Sequence, residues 1–143
     1  MRSFIIILMN DAERIIQDLK LEPHPEGGHF VECLRTNDIS IIYYLLKKNE
    51  KSHWHRLTKN ETLHFYTGDP LLIYFSRDGN EYQSITIGEK NNYNTTIKFD
   101  TWFAMKSLGE YSLIGCTVAP PFDYADFELA PPDWKPKKFN EAL

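Results

Sequence analysis

The feature that most limits how this chain can fold is a series of short strand-like segments that starts after Gly28. The segments are rich in β-branched and aromatic residues, and turn residues such as Asp78-Gly79 separate them. Nine are predicted, at residues 29–35, 39–48, 52–57, 61–67, 71–77, 81–87, 95–99, 102–107 and 111–118. Strands this short and this regularly spaced predict an all-β fold, either a sandwich or a barrel.

Ahead of these strands the sequence predicts one short amphipathic helix. Asn10, with Glu13 three residues later, forms a capping box, and apolar residues then follow at helical spacing to about Lys20. Pro23 and Pro25 end the helix, because the residue before a proline disfavours the helical conformation.

Length and composition are compatible with one globular domain. The chain has 143 residues, and 42% of them are hydrophobic, which is enough for a packed core. We interpret residues 9–131 as a single domain, 132–143 as a surface C-terminal tail and 1–8 as an N-terminal extension. The apolar run at 4–9 is too short for a signal-peptide core or for a membrane span.

Charge and cysteine content argue against several classes of partner. The net charge of −4 provides no basic surface for nucleic acid, so neither a nucleic-acid nor a membrane partner is expected. Cys33 and Cys116 lie far apart in strand-like segments. We interpret both as reduced thiols of a cytoplasmic protein.

A cluster of histidines marks the candidate site. His53 and His55 are two residues apart, so on a regular strand both imidazoles face the same side, with Trp54 on the other. Glu61 begins the next strand, and a hairpin would bring its carboxylate to the two imidazoles. This 2-His-1-carboxylate set suits Fe(II), Mn(II), Ni(II) or Zn(II).

Further motifs accompany these histidines. In chain order they are His24-Pro-Glu-Gly-Gly28, Trp54-His-Arg56, His64-Phe-Tyr-Thr-Gly-Asp-Pro70, Gly115-Cys-Thr-Val-Ala-Pro120 and Phe122-Asp-Tyr-Ala-Asp-Phe-Glu-Leu-Ala130. Together they resemble the Cupin_5 branch of the cupin superfamily, which contains small single-domain cupins of largely unassigned activity. The resemblance implies a double-stranded β-helix, that is, a jelly-roll (RmlC-like cupin) barrel with one short N-terminal helix.

The same resemblance limits metal binding. The second cupin motif normally adds one more histidine, and Phe103 stands where we expect it. As the Cupin_5 pattern is known, it carries only the histidine at His55. We therefore expect His53, His55 and Glu61 to lie close together and to hold a divalent metal only weakly. A metal-free polar pocket is the alternative that stays open.

A ligand pocket is expected at one end of the barrel. The turn that contains His24, Glu26 and Gly28 can fold over the opening, where the two side chains would contact a ligand and the glycine would let the backbone approach it. Trp102 and Phe103 would supply apolar walls of this pocket.

For the pair Tyr43-Tyr44 and for His64, the alternation of side chains along a strand decides which residue faces the pocket. One residue of the pair Tyr43-Tyr44 must face inward, and we assign the pocket hydroxyl to Tyr43. His64 follows Glu61 by three residues, so it faces away from the pocket unless a bulge intervenes.

Two functional classes stay open. The first is an enzyme that transfers protons on a small polar metabolite such as a sugar or nucleotide-sugar, similar to the metal-free dTDP-4-dehydrorhamnose 3,5-epimerases. His55 would be its general base, tuned by Glu61, and Tyr43 its acid. A metal-dependent variant would use the three donors to polarise a carbonyl. The second class is a non-catalytic binder or sensor with the same pocket.

A homodimer is also expected. On regular strands Trp54 and Tyr66 would lie on one outer face of the barrel. Exposed aromatic side chains on a sheet favour a surface that another molecule covers, and a second copy of the chain is the simplest cover.

Overall fold

The computed structural model describes residues 9–143, so the expected N-terminal extension at residues 1–8 lies outside the described residues. In chain order the elements are α1 (Asp11–Leu19), β1 (Glu22–Pro23), β2 (His29–Arg35), β3 (Ser40–Lys47), β4 (Ser52–Leu57), β5 (Glu61–Gly68), β6 (Leu71–Ser76), β7 (Gln83–Ile87), β8 (Asn94–Ile97), β9 (Trp102–Ser107), β10 (Tyr111–Val118), a 3-10 turn (Tyr124–Asp126) and β11 (Phe127–Leu129). All nine predicted strands are present, and β1 and β11 add two short ones.

The strands form two antiparallel sheets. The six-stranded sheet has the order β1-β2-β3-β10-β5-β8, and the five-stranded sheet has the order β11-β4-β9-β6-β7. Neighbours such as β3 and β10 are far apart in sequence, which is the long-range pairing of a jelly roll. The predicted all-β jelly-roll fold with one short N-terminal helix is therefore confirmed.

Helix α1 begins at the predicted capping box. The N–H of Glu13 donates to the Asn10 side-chain oxygen at 2.8 Å, and the helix ends at Lys20 in the left-handed conformation. Its buried residue, Ala12, belongs to one apolar cluster with Leu45 and Leu113 of the six-stranded sheet. No helix within residues 9–143 is long and apolar enough to cross a membrane.

The main core lies between the two sheets. It is built from inward-facing side chains of both sheets, including Leu46, Leu63, Ile73, Phe103 and Ile114. Removing these apolar surfaces from water is the main stabilising contribution to the fold. Cys116 and Val118 of this core also line a cavity.

A second aromatic cluster covers the outer face of the five-stranded sheet. Trp54 is 1% exposed and contacts Phe139, with 5.3 Å between ring centroids. Trp102 contacts Trp134 at 4.6 Å. Phe139 and Trp134 belong to the C-terminal segment 130–143, so the chain itself covers the face that we expected a second subunit to cover.

Tyr66 does not share that face. It lies in β5 of the six-stranded sheet, where it contacts Tyr43 at 5.8 Å between ring centroids. The expected common outer face of Trp54 and Tyr66 is therefore wrong, because the two residues lie on different sheets. The homodimer stays a prediction without that argument.

Candidate functional site

A bulge in β4 separates the two histidines that the sequence placed together. Ser52 pairs with Met105 and His55 with Phe103, so three steps along β4 oppose two steps along β9. His55 faces inward, 4.1 Å from the Phe103 ring. His53 instead points out, with its Nε2 2.9 Å from the Pro131 carbonyl oxygen. The prediction that both imidazoles converge is wrong because the bulge breaks the alternation.

The tautomer of His55 follows from its backbone contact. Nδ1 lies 2.7 Å from the carbonyl oxygen of His53, and because a carbonyl only accepts, Nδ1 carries the proton. In the neutral ring Nε2 therefore presents a lone pair. That atom lies 3.4 Å from Oε2 of Glu26.

The turn between β1 and β2 brings Glu26 into the barrel. Its carboxyl accepts a hydrogen bond from the Ser52 hydroxyl. Tyr44 fixes the same turn, because its hydroxyl donates to the Gly27 carbonyl at 2.5 Å. Gly28 has φ +77°, and a Cβ there would lie 2.7 Å from the Tyr44 hydroxyl. The glycine thus lets the turn pack on Tyr44, a role different from the expected approach to a ligand.

His24 completes a buried polar cluster around Glu26. The N–H of Glu26 donates to Nδ1 of His24 at 3.1 Å, so the neutral ring carries its proton on Nε2. Nδ1 also lies 3.4 Å from Oε1 of Glu26. The Glu26 carboxyl therefore lies between the Nδ1 of His24 and the Nε2 of His55.

The Glu26 carboxyl is buried close to ring nitrogens of both histidines. Burial raises the pKa of Glu26 and lowers the pKa of His24 and of His55. All three shifts favour a protonated, neutral Glu26 between two neutral imidazoles. Burial thus favours the uncharged form of each of the three side chains.

Glu61 is the carboxyl that opens onto the cavity. It begins β5, and its burial is the largest cause that raises its pKa from 4.5 to about 7; His55 opposes this shift and Glu26 adds to it. Cys116 lies beside it on β10, and burial raises the pKa of this thiol well above its ordinary value. A carboxyl with this pKa is partly protonated at neutral pH, which suits proton transfer.

The cavity has a volume of about 360 Å³. Residues of the turn after β1, of four strands and of the segment after β10 line it: His24, Phe30, Glu32, Arg35, Ser40, Ile42, Glu61, Cys116, Val118, Phe122, Asp123 and Tyr124. Of the predicted pocket residues, His24 and Glu61 line the cavity. Glu26 and His55 lie behind them in the buried cluster.

Three other predicted pocket residues lie elsewhere. Tyr43 is on the outer face of the six-stranded sheet, and its neighbour Tyr44 is the inward-facing tyrosine, so that assignment was wrong. Trp102 is on the outer face of the five-stranded sheet, with the Arg56 guanidinium 4.4 Å from its ring. Phe103 faces inward but is part of the core, where it contacts His55.

Several lining residues were not predicted as site residues. Glu32 and Arg35 both reach the cavity because a register shift between Glu32 and Leu34 interrupts the alternation of β2. Asp123 and Tyr124 come from the loop after β10, which is remote in sequence. The motif from Phe122 to Ala130 was the one signal for this loop.

The predicted metal set does not assemble. Within residues 9–143 no three His, Cys, Asp or Glu side chains are arranged so that they could hold a metal ion. His53 points away, and the Nε2 of His55 faces the Glu26 carboxyl. The expectation that His53, His55 and Glu61 form a weak metal site is therefore corrected, because two of the three donors are committed elsewhere.

Two antiparallel sheets with a ligand-sized cavity, lined by polar and apolar side chains, define a jelly-roll protein of the cupin class. Residues 13–130 match the family Cupin_5, described as Cupin superfamily (DUF985), and the chain belongs to this family. The resemblance inferred from the sequence motifs is confirmed.

Solved structures agree with this assignment. A Shewanella oneidensis protein is 32% identical with a TM-score of 0.80, and the match covers 85% of each chain. A Leishmania major protein described as hypothetical is 30% identical with a TM-score of 0.76, covering 83% of this chain and 86% of that one. A dTDP sugar isomerase from Desulfovibrio desulfuricans is 14% identical with a TM-score of 0.61, covering 84% and 92%, which shows the fold alone.

One further match is a local sequence similarity to part of a longer protein. A zinc finger protein of Arabidopsis thaliana is 31% identical over 81 residues, which is 53% of this chain but only 39% of that protein's length. Cys33 and Cys116 are too far apart in sequence to form a closely spaced zinc-binding pair. The local similarity therefore does not change the family assignment.

Proposed function

We propose that this protein binds a small polar metabolite in the barrel cavity and transfers a proton on it, with Glu61 as the acid–base group. The observation that carries the proposal is the cavity-facing position of Glu61 together with its pKa of about 7. His55 was the expected base, but its Nε2 faces Glu26 and its ring is 1% exposed. We therefore give His55 a supporting role behind the cavity.

The proposed chemistry is proton abstraction next to a carbonyl group. Glu61 in its ionised form takes the proton of the C–H bond, and the electron pair of that bond forms an enolate. Nε2–H of His24 is a donor for the enolate oxygen, because Nδ1 is already an acceptor for the Glu26 N–H. Return of the proton from Glu61 to the same carbon restores the substrate, or its epimer if the carbon is reached from the opposite face.

A non-catalytic binder with the same cavity is the second candidate. It is favoured by the apolar share of the lining, which includes Phe30, Ile42, Val118 and Phe122. The dTDP sugar isomerase supports the enzyme class only through its fold, at 14% identity. The two candidates differ in one measurable property, which is exchange of a carbon-bound proton with solvent.

Deuterium incorporation tests the proposal across a range of candidate substrates. The protein is incubated in D2O near neutral pD with a panel of uncharged sugars, amino sugars, sugar acids and a nucleotide-sugar. NMR then detects deuterium on the carbon next to the carbonyl. We expect incorporation into at least one compound above the buffer rate, and Glu61→Gln should reduce that rate about 100-fold.

Tyr43→Phe is the matched control. This residue lies on the outer face of the six-stranded sheet, so its loss should leave deuterium incorporation unchanged. A strong loss in Tyr43→Phe, or full activity in Glu61→Gln, contradicts the proposed role of Glu61 as the acid–base group. Binding of a panel compound without any incorporation would favour the non-catalytic binder.

A further inference from the structure

We propose that the cavity selects a small organic cation, that is, a metabolite that carries an ammonium group. The inference rests on the proposed function, because it names the substrate class of the same cavity. It differs from the sequence-based expectation of a nucleotide-sugar, whose phosphates are anionic. Three properties of the cavity support it: its charge, its aromatic side chains and a buried carboxyl that forms no ion pair with a lysine or arginine in the described part of the chain.

The charge of the cavity is negative. Three acidic residues line it, Glu32, Glu61 and Asp123, against one arginine, Arg35. The Arg35 guanidinium is already engaged, with Nε and Nη2 each 2.9 Å from a carboxylate oxygen of Glu32. Nη2 also donates to the Phe122 carbonyl at 2.7 Å. The single cation of the lining is therefore neutralised by its partner.

A second cation close to the same loop is also paired. Lys59 donates to the Pro121 carbonyl at 2.9 Å and forms an ion pair with Asp126 at 2.8 Å. Asp123, in contrast, forms no ion pair within residues 9–143, and one of its oxygens accepts only from the Ala125 N–H. The charge of Asp123 still acts on Arg35, whose pKa it helps to raise, but Arg35 is bonded to Glu32, so an anionic ligand would meet carboxylates that are only partly compensated and that repel it.

Aromatic rings form much of the wall. Phe30, Phe122 and Tyr124 line the cavity, and the Phe122 and Tyr124 rings lie 4.9 Å apart in an edge-to-face arrangement. Tyr124 is 54% exposed, so part of this residue remains accessible to a ligand. Aromatic faces attract ammonium groups through the negative potential above the ring.

Glu61 supplies the buried anchor. Its side chain is nine-tenths buried and lines the cavity, and within residues 9–143 it forms no ion pair with a lysine or arginine. A buried carboxylate without a cationic partner is costly, whereas one that meets an ammonium group is stabilised. The three properties together favour a cation over a neutral or anionic ligand of the same size.

Three ligands of nearly equal shape test the charge preference. Choline is a permanent cation, dimethylbutanol is its uncharged carbon isostere, and dimethylbutanoate is the related anion. Each is titrated at pH 8 while NMR follows the methyl signals of Ile42 and Val118, which line the cavity. We expect choline to bind roughly tenfold more tightly than dimethylbutanol, and dimethylbutanoate to bind most weakly.

Two variants remove negative charge from the cavity with little change in shape. Glu61→Gln and Asp123→Asn should each weaken choline binding several-fold and leave dimethylbutanol unchanged; the asparagine can still accept from the Ala125 N–H. Glu128→Gln is the matched control, because Glu128 pairs with Arg56 on the outer surface. Choline binding should be unchanged in this control.

The possible results separate this inference from the proposed function. Equal binding of choline and dimethylbutanol, preference for dimethylbutanoate, or no binding of any probe overturns the cation selectivity. These titrations involve no turnover, so choline selectivity can hold when no compound incorporates deuterium. Deuterium incorporation into an uncharged sugar without choline selectivity would overturn the cation inference alone.

Discussion

The two faces of the five-stranded sheet differ in how their buried side chains are stabilised. On the inner face, β4 places His55 in a polar cluster with Glu26, Ser52 and the nearby Glu61. On the outer face, the same strand places Trp54 in an aromatic cluster under the C-terminal segment. The outer cluster needs only shape and apolar surface, whereas the inner cluster needs each polar atom to keep a partner.

This contrast indicates which face carries function. Groups with shifted pKa values concentrate on the inner side, where burial acts on Glu26, His55 and Glu61 together. The outer cluster is built mainly from aromatic rings, and its charged neighbour Arg56 lies over the Trp102 ring. Under the proposed function, the groups that act on a ligand lie on the inner side only, so substitutions on the two sides should have different effects.

The largest expected effect is on the outer side. Trp54→Ala removes a fully buried indole that contacts Trp134 and Phe139, so the free energy of unfolding should fall by about 3–5 kcal/mol. Denaturant unfolding followed by circular dichroism measures the change. The cavity lies on the other face, so choline binding by the folded fraction should persist. A loss below about 1 kcal/mol would contradict the structural role of this cluster.

The second largest expected effect is a pH-dependent change in stability caused by Glu61 on the inner side. The pKa of Glu61 is about 7 in the folded chain against an ordinary value of 4.5, so the folded state binds the proton more tightly than the unfolded state. The stabilisation by this proton is complete below about pH 4.5 and is lost as the pH rises to about 7. Glu61→Gln has no such proton. The variant should gain stability relative to wild type between pH 5 and pH 8, by about 2.5 kcal/mol.

Denaturant midpoints at the two pH values give this difference. Glu128→Gln serves as the control, because its surface carboxylate should leave the pH dependence unchanged. A parallel pH dependence of wild type and Glu61→Gln would show that Glu61 is not protonated in the folded state. It would also remove the observation on which the proposed function rests.

The sequence predicted the fold well because strands depend on local patterns. Alternation, turn residues and the capping box at Asn10 located α1 and all nine main strands. The same alternation gave wrong side-chain orientations at particular residues. The bulge in β4 turned His53 outward, and the apolar run of β3 gave no sign whether Tyr43 or Tyr44 faced inward. A bulge depends on pairing with another strand, which a local pattern does not contain.

The candidate site was predicted in part for a related reason. His24, Glu26, His55 and Glu61 stand in recognisable motifs, and the structure brings them to one region. Arg35 carries no motif, and its contact with the loop at Phe122 joins residues 87 positions apart. Contacts of this range form only when the sheets pair, so neither spacing nor composition indicates them.

A smaller expected effect is the difference in unfolding free energy between an apolar and a polar substitution of Glu26 on the inner face. Glu26→Leu keeps the approximate size of the side chain but leaves the Ser52 hydroxyl and the Nε2 of His55 without their partner. It should lower the free energy of unfolding by about 1–3 kcal/mol more than Glu26→Gln, which retains polar atoms. Equal losses in the two variants would show that volume alone matters on the inner face, as on the outer one.

The smallest effect tests whether the two faces are coupled. His53 connects them: its carbonyl accepts from Nδ1 of His55, and its Nε2 bonds the carbonyl of Pro131 in the C-terminal segment. His53→Ala removes only the second bond, at a cost of about 0.5–1.5 kcal/mol. If the backbone of β4 alone positions His55, this change should add independently to Glu61→Gln in a double-mutant cycle of unfolding free energies. The change in unfolding free energy caused by His53→Ala should be non-additive with that caused by Phe139→Ala, because both substitutions weaken the packing of the C-terminal segment. A coupling energy above about 0.5 kcal/mol with Glu61→Gln would instead show that the C-terminal segment helps to set the inner cluster.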